Sequence, residues 1–153
     1  MEALFTILIV LQFLIVAVHD WIDIPGWVNG TQVQGAVGRR KLALATVINL
    51  LFPGFAVACA IRFYHVPKPG YVLNYWLVYT AITMAAAFLM WWIPYLFGSS
   101  PQRLEEYARM YKGTRHVLPV REGDPGPNLL HIAFHVLFMS TLVLAVMLRL
   151  NGP

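Results

Sequence analysis

Four apolar blocks dominate this chain, near residues 3–22, 42–61, 72–97 and 129–148. Each is about as long as a helix needs to cross the hydrocarbon of a bilayer, roughly 20 residues. Together they use most of the 153 residues, so no separate soluble domain fits beside them. Only 12% of the residues are charged, against about 25% in an ordinary soluble domain. The expected fold is an all-α integral membrane protein. It is a single domain over residues 1–153, built as an antiparallel four-helix transmembrane bundle. Lipid removes the hydrophobic drive between helices, so packing and polar contacts must hold such an interior together.

The first block is expected to be a permanent span. A cleaved signal peptide opens with basic residues and closes on a small-residue cleavage site. This block opens Met1-Glu2-Ala3 and runs into His19-Asp20-Trp21. Cys59 is the single cysteine, so the chain can form no internal disulfide and no cysteine cluster for a metal.

Charge placement orients the spans. Arg62, Lys68 and Arg149 fall on the side of the termini and the middle loop. Arg39, Arg40, Lys41, Arg103, Arg109, Lys112, Arg115 and Arg121 fall in loops one and three. The positive-inside rule then puts loops one and three in the cytoplasm and both termini outside, in a plasma (inner) membrane. The net charge of +4 reflects that orientation and implies no nucleic-acid partner.

Loop three holds a short helix near 101–112. Ser100 suits its N-cap, Pro101 its first position and Gly113 its end. Leu104, Tyr107, Ala108 and Tyr111 make one stripe, with Arg103, Glu106, Arg109 and Lys112 pointing elsewhere. That is an amphipathic helix suited to a membrane surface. Small-residue pairs four apart, Ala56/Ala60 and Ala81/Ala85, are sites where helices can approach closely. Pro53, within the second span, leaves the Asn49 carbonyl without its helical donor.

The polar residues inside the spans carry the functional reading, because ionisable groups at membrane depth are costly and face a partner or cavity. Residues three, four and seven apart share a helix face. Asn128, His131 and His135 form one such stripe; Thr46, Asn49 and Pro53 form another; Gln12, His19 and Asp23 form a third, with Asp20 beside it. At 1.5 Å per residue, His135 lies roughly 10 Å below Asn128, and Asn49 roughly 12 Å in from Lys41. The topology brings these groups to one leaflet. The expectation is a cytoplasm-facing pocket of His19, Asp20, Asp23, Thr46, Asn49, Asn128, His131 and His135, rimmed by Trp91, Trp92 and Tyr95.

Several uses fit these residue types. His19, Asp23, His131 and His135 can supply four ligands to zinc, iron or manganese, with Asn128 orienting an imidazole. His19 opposite His131 or His135 could instead hold one b-type haem as a cofactor. Proton or ion movement is weaker, since only Thr80 and Thr83 continue a polar path outward. The leading expectation is a small polytopic membrane protein whose pocket binds metal. The alternatives are a membrane-embedded haem or metal oxidoreductase, a lipid-modifying enzyme, and an accessory subunit of a larger complex. Structural polar contacts between helices explain the same residues with no ligand. Whether the chain is an enzyme stays open at this point. The lipid bilayer is the expected partner, with a membrane-protein partner or a second copy of the chain beside it.

Overall fold

The computed structural model describes residues 1–119 and 126–151. Arg121 and the run Gly123-Asp124-Pro125 lie outside the described residues. Within them the chain is mostly helical and of the all-α class. In order come α1 (Glu2–Val18), β1 (Asp23–Ile24), β2 (Val28–Asn29), α2 (Gly30–Val37), α3 (Arg39–Arg62), α4 (Gly70–Ala87), a π-helical turn (Phe88–Trp92), α5 (Ile93–Phe97), α6 (Pro101–Met110) and α7 (Leu129–Asn151). Three helices are long and apolar enough to cross a membrane: Arg39–Arg62, the continuous stretch Gly70–Phe97, and Leu129–Asn151. The shorter α1 has 17 residues, about 26 Å of helix.

α1 packs on α3 and α7, and α4 packs on α7 and, less extensively, on α3. One end of this assembly is tightly filled. Phe5 and Ile9 of α1, Ala56 and Ala60 of α3, Val72, Leu73 and Trp76 of α4, and Ala145 and Leu148 of α7 form its core. Trp76 is the largest fully buried side chain. Its ring lies 4.6 Å from that of Phe5, and its indole N–H donates to Ala56 O at 3.3 Å. The Ala56/Ala60 pair does face this helix contact, where a larger side chain would hold α3 away from Trp76. Ala81 and Ala85 are exposed instead.

α1 stops at Val18, four residues before the apolar block does. Trp21 N turns back to Val18 O at 2.9 Å, and the chain enters a short hairpin. Asp23 pairs with Asn29 and Ile24 with Val28, around the turn at Pro25-Gly26. Gly26 has φ +79°, which glycine adopts without a Cβ clash. The hairpin is stapled to loop three by Arg115 N→Gly26 O at 2.8 Å and Asn29 Nδ2→Lys112 O at 2.7 Å. α2 also packs on α6, so loops one and three share one end of the molecule.

Gly30 sits directly on the backbone of Ile22. A Cβ there would meet Ile22 O at 2.6 Å, Ile22 N at 2.8 Å and Asp20 O at 3.0 Å. Backbone atoms cannot swing aside as a flexible side chain can. Gly30→Ala is therefore expected to destabilise the folded chain by about 2 kcal/mol in a denaturation titration. Gly35, in the same helix, has open space around it. Gly35→Ala should be neutral or stabilising by up to about 1 kcal/mol. Equal effects at the two positions would contradict this account.

Candidate functional site

Opposite the filled end, the helices part around a cleft of about 490 Å³. Its walls come from the end of α1, the middle of α3, the length of α4, the π-helical turn and the first half of α7. Along α4 and the π turn it extends from Tyr75 to Trp91, about 24 Å at helical rise. Most of the lining is apolar: Phe52, Val78, Ile82, Phe134 and Phe138 are among it. No Lys, Arg, Asp or Glu contributes. His19, Asn49, His131 and His135 add polar groups, with Tyr75, Tyr79 and Thr83 beside them. Phe52, Val78 and Ile82 are themselves more than half exposed, so the cleft opens sideways between α3 and α4. Tyr75 crosses that seam at its far end, donating to Phe52 O at 2.8 Å.

The hydrogen-bond partners fix how the histidines present themselves. Asn128 Oδ1 accepts from the His131 backbone N–H at 3.0 Å, which sets the orientation of its amide. The same oxygen lies 2.6 Å from His131 Nδ1, so Nδ1 must carry the proton. In the neutral ring, Nε2 then holds a bare lone pair. His135 is arranged in reverse. The Trp92 indole, which can only donate, reaches His135 Nδ1 at 3.1 Å. Neutral His135 therefore carries its proton on Nε2. Neither Nε2 has a partner among the described residues. No unpartnered side-chain nitrogen or oxygen is sealed away among them, so both Nε2 atoms keep accessible surface, on residues that line the cleft. His19 Nδ1 donates to Ile15 O at 2.9 Å, and its Nε2 lies 3.3 Å from Asp20 Oδ1.

A local break in α4 delivers the tryptophans. Pro94 has no N–H, so Met90 O loses its helical donor. The amide of Ile93 instead reaches back five residues to Phe88 O, which is the π register. Such turns recur at functional sites. Arg103 of α6 donates to the freed Met90 O. The result is that adjacent residues serve adjacent histidines. The Trp91 ring lies 3.6 Å from that of His131, while Trp92 bonds to His135. Tyr107 and Tyr111 of the α6 segment pack edge-on to Trp91, at 5.3 and 5.5 Å. Tyr107 also donates to Gly126 O. Burial raises both phenols above their usual range; the neighbouring Tyr111 adds to this at Tyr107, and Asp20 adds at Tyr111. This aromatic wall closes the polar end of the cleft.

The eight polar residues singled out from the sequence divide accordingly. His19, Asn49, His131 and His135 line one cleft. Asn128 stands behind His131 and also donates to Thr114 Oγ1 at 3.3 Å. Thr46 accepts from the Trp21 indole at 3.1 Å, and Asp20 faces His19. Asp23 lies on β1, exposed, and its carboxylate accepts from Thr31 N and Thr31 Oγ1. Those bonds hold the Asp23 carboxyl below its usual pKa. Among the described residues, no three or more His, Cys, Asp or Glu side chains gather as a metal cluster.

Three contributors carry no periodic polar signal in the sequence: the π turn, the Trp92–His135 bond, and the Tyr107/Tyr111 wall. The nearest cue is Pro94 directly after two tryptophans. Comparison with family models, curated proteins and solved structures finds no match to this chain.

Proposed function

We propose that this chain is a four-span membrane protein that binds an apolar small molecule, drawn sideways from the bilayer into the cleft between α3 and α4. The observation that carries the reading is the cleft itself: long, apolar, lined by no Lys, Arg, Asp or Glu, and ending on two imidazoles whose Nε2 atoms have no partner among the described residues. Ligand pockets combine such apolar walls with a few placed polar groups. In a transmembrane bundle, with α1 as a fourth and shorter span, the exposed edges of α3 and α4 would meet lipid tails. Arg39, Arg40 and Lys41 lie at the same end as Arg103, Arg109 and Arg115, whereas Arg62, Lys68 and Arg149 lie at the other. That asymmetry supports loops one and three in the cytoplasm, the termini outside and a plasma-membrane home. The α6 segment then rests at the cytoplasmic surface, and the polar end of the cleft lies in the cytoplasmic leaflet.

A second reading keeps His131 Nε2 as a ligand atom for a haem or a metal ion. Its bare lone pair is the observation in favour. Against a four-ligand metal set, Asp23 is held by Thr31 and does not line the cleft.

One preparation separates these readings. The protein is purified in mild detergent without chelator, and bound material is extracted for mass spectrometry beside metal analysis and a visible spectrum. The expected result is a stoichiometric lipophilic small molecule in a colourless protein. Stoichiometric metal or a haem band would transfer the site to the second reading. Orientation is tested independently by a C-terminal phosphatase fusion, which should be active outside the cytoplasm; activity of a cytoplasm-only reporter at that position would invert the topology.

A further inference from the structure

Resting on the cleft reading above, we infer the chemistry of the ligand's head: the cleft is built for an uncharged, chain-bearing lipid whose head is a hydroxyl, held between His131 and His135. Three observations carry this. First, no Lys, Arg, Asp or Glu lines the cleft, and His19 at its wall is already engaged by Asp20 and Ile15 O, so nothing there is left to balance a phosphate, a carboxylate or an ammonium. A charged head carried to that depth without a partner is strongly disfavoured. Second, the two imidazoles are fixed in opposite states. His131 offers an acceptor because its Nδ1–H donates to Asn128 Oδ1, which leaves Nε2 bare. His135 offers a donor because the Trp92 indole fills its Nδ1. A ketone or ether could use only the donor. A hydroxyl donates and accepts through one oxygen, and so matches both. Third, the apolar walls from Tyr75 to Trp91 extend about 24 Å, long enough for an extended chain and far longer than a small compact solute needs.

The arrangement also explains Asn49. It is exposed at the cleft mouth, in the middle of an apolar helix, with no side-chain hydrogen bond among the described residues. A second polar atom close to the head would meet it there.

The test uses the full chain in phosphatidylcholine nanodiscs and three probes of equal chain length, decane, decanol and decanoic acid, each carrying bromine on its second carbon, next to the head. Bromine quenches the indoles of Trp91 and Trp92, and empty discs correct for partitioning. Decanol is expected to bind about tenfold more tightly than decane, the yield of two neutral hydrogen bonds. Decanoate should bind no better than decane. His131→Leu and His135→Leu should each cut the preference for decanol to about threefold. His135→Gln can still accept from Trp92 and donate toward the cleft, and should retain the preference, which guards against a variant that misfolds. Equal binding of decanol and decane, or a preference unaffected by either leucine variant, would overturn the head assignment while leaving the cleft intact. Tighter binding of decanoate would replace it with a charged head. Absence of saturable quenching by every probe would bring down the cleft reading itself.

Discussion

Asn128→Leu is expected to destabilise the protein by about 3 kcal/mol and to release His131 from its single tautomer. Asn128 is only 1% exposed and directly precedes α7. Its Oδ1 accepts from the amide three residues on, the bond by which an N-cap satisfies an otherwise orphaned donor. Losing a cap costs about 1 kcal/mol. Here the loss also strands His131 Nδ1 in a buried place, and an unpartnered buried group costs about 1–3 kcal/mol. Asn128→Ser separates the two contributions. Serine can cap the helix but is too short to hold the ring as well, so it should recover about 1 kcal/mol and leave the tautomer free. Chemical denaturation in detergent reads the stability. Nitrogen chemical shifts of His131 read the tautomer: protonated Nδ1 and bare Nε2 in the native chain, a mixture in both variants. A leucine variant as stable as the native chain would remove Asn128 from this role.

Much of this architecture is visible in the sequence, because apolar length and helix punctuation act locally. The long apolar helices α3, α4 and α7 follow from composition and length alone. The α6 segment follows from Ser100, Pro101 and Gly113: Ser100 Oγ accepts from Arg103 N at 3.3 Å, and Gly113 has φ +80°. The end of α1 is different. Trp21 and Ile22 continue the apolar block, and only the hairpin pairing of Ile24 with Val28 and the seat of Gly30 on Ile22 explain why the helix stops at Val18. That early stop is what carries Asp23 away from the stripe it would share with Gln12 and His19 on a longer helix. A three-four-seven spacing holds only while the helix lasts.

The site shows the same division. His131 and His135 are legible as a pair because they sit four apart on one helix. What each nitrogen does is set by partners distant in the chain, with Trp92 lying 43 positions from His135. Trp92 reads from sequence as a rim residue of the pocket, beside Trp91 and Tyr95, with no histidine assigned to it. Its aim toward His135 depends on a π turn whose cause, Pro94, looks like an ordinary helix terminator. Depth and face can be argued from spacing, whereas hydrogen-bond direction requires the tertiary contact.

Gln12→Ala is the second large effect expected, a loss of about 3–4 kcal/mol, and its physics differs from that at Asn128. Gln12 is 1% exposed and links three helices through one directed chain of donors. Tyr79 Oη donates to Gln12 Oε1 at 3.2 Å, Gln12 Nε2 donates to Thr141 Oγ1 at 2.6 Å, and Thr141 Oγ1 donates to Leu137 O at 2.7 Å. Each of these bonds runs in one sense only, so α1, α4 and α7 are fixed in mutual rotation. Interhelical hydrogen bonds in membrane proteins average only about 0.6 kcal/mol and reach about 1.7. The two bonds alone therefore cannot supply the whole effect. Most of it should come from the cavity left when a long buried side chain is cut to a methyl, about 2 kcal/mol or more. Gln12→Leu keeps the volume and loses only the bonds, so it should cost about 1–2 kcal/mol. Because Tyr79 also lines the cleft, freeing its hydroxyl adds a stray donor to an otherwise apolar wall. Gln12→Leu should thus weaken decane binding while sparing the preference for decanol, which resides at His131 and His135. A leucine variant as unstable as the alanine one would assign the energy to the hydrogen bonds and reverse this ordering.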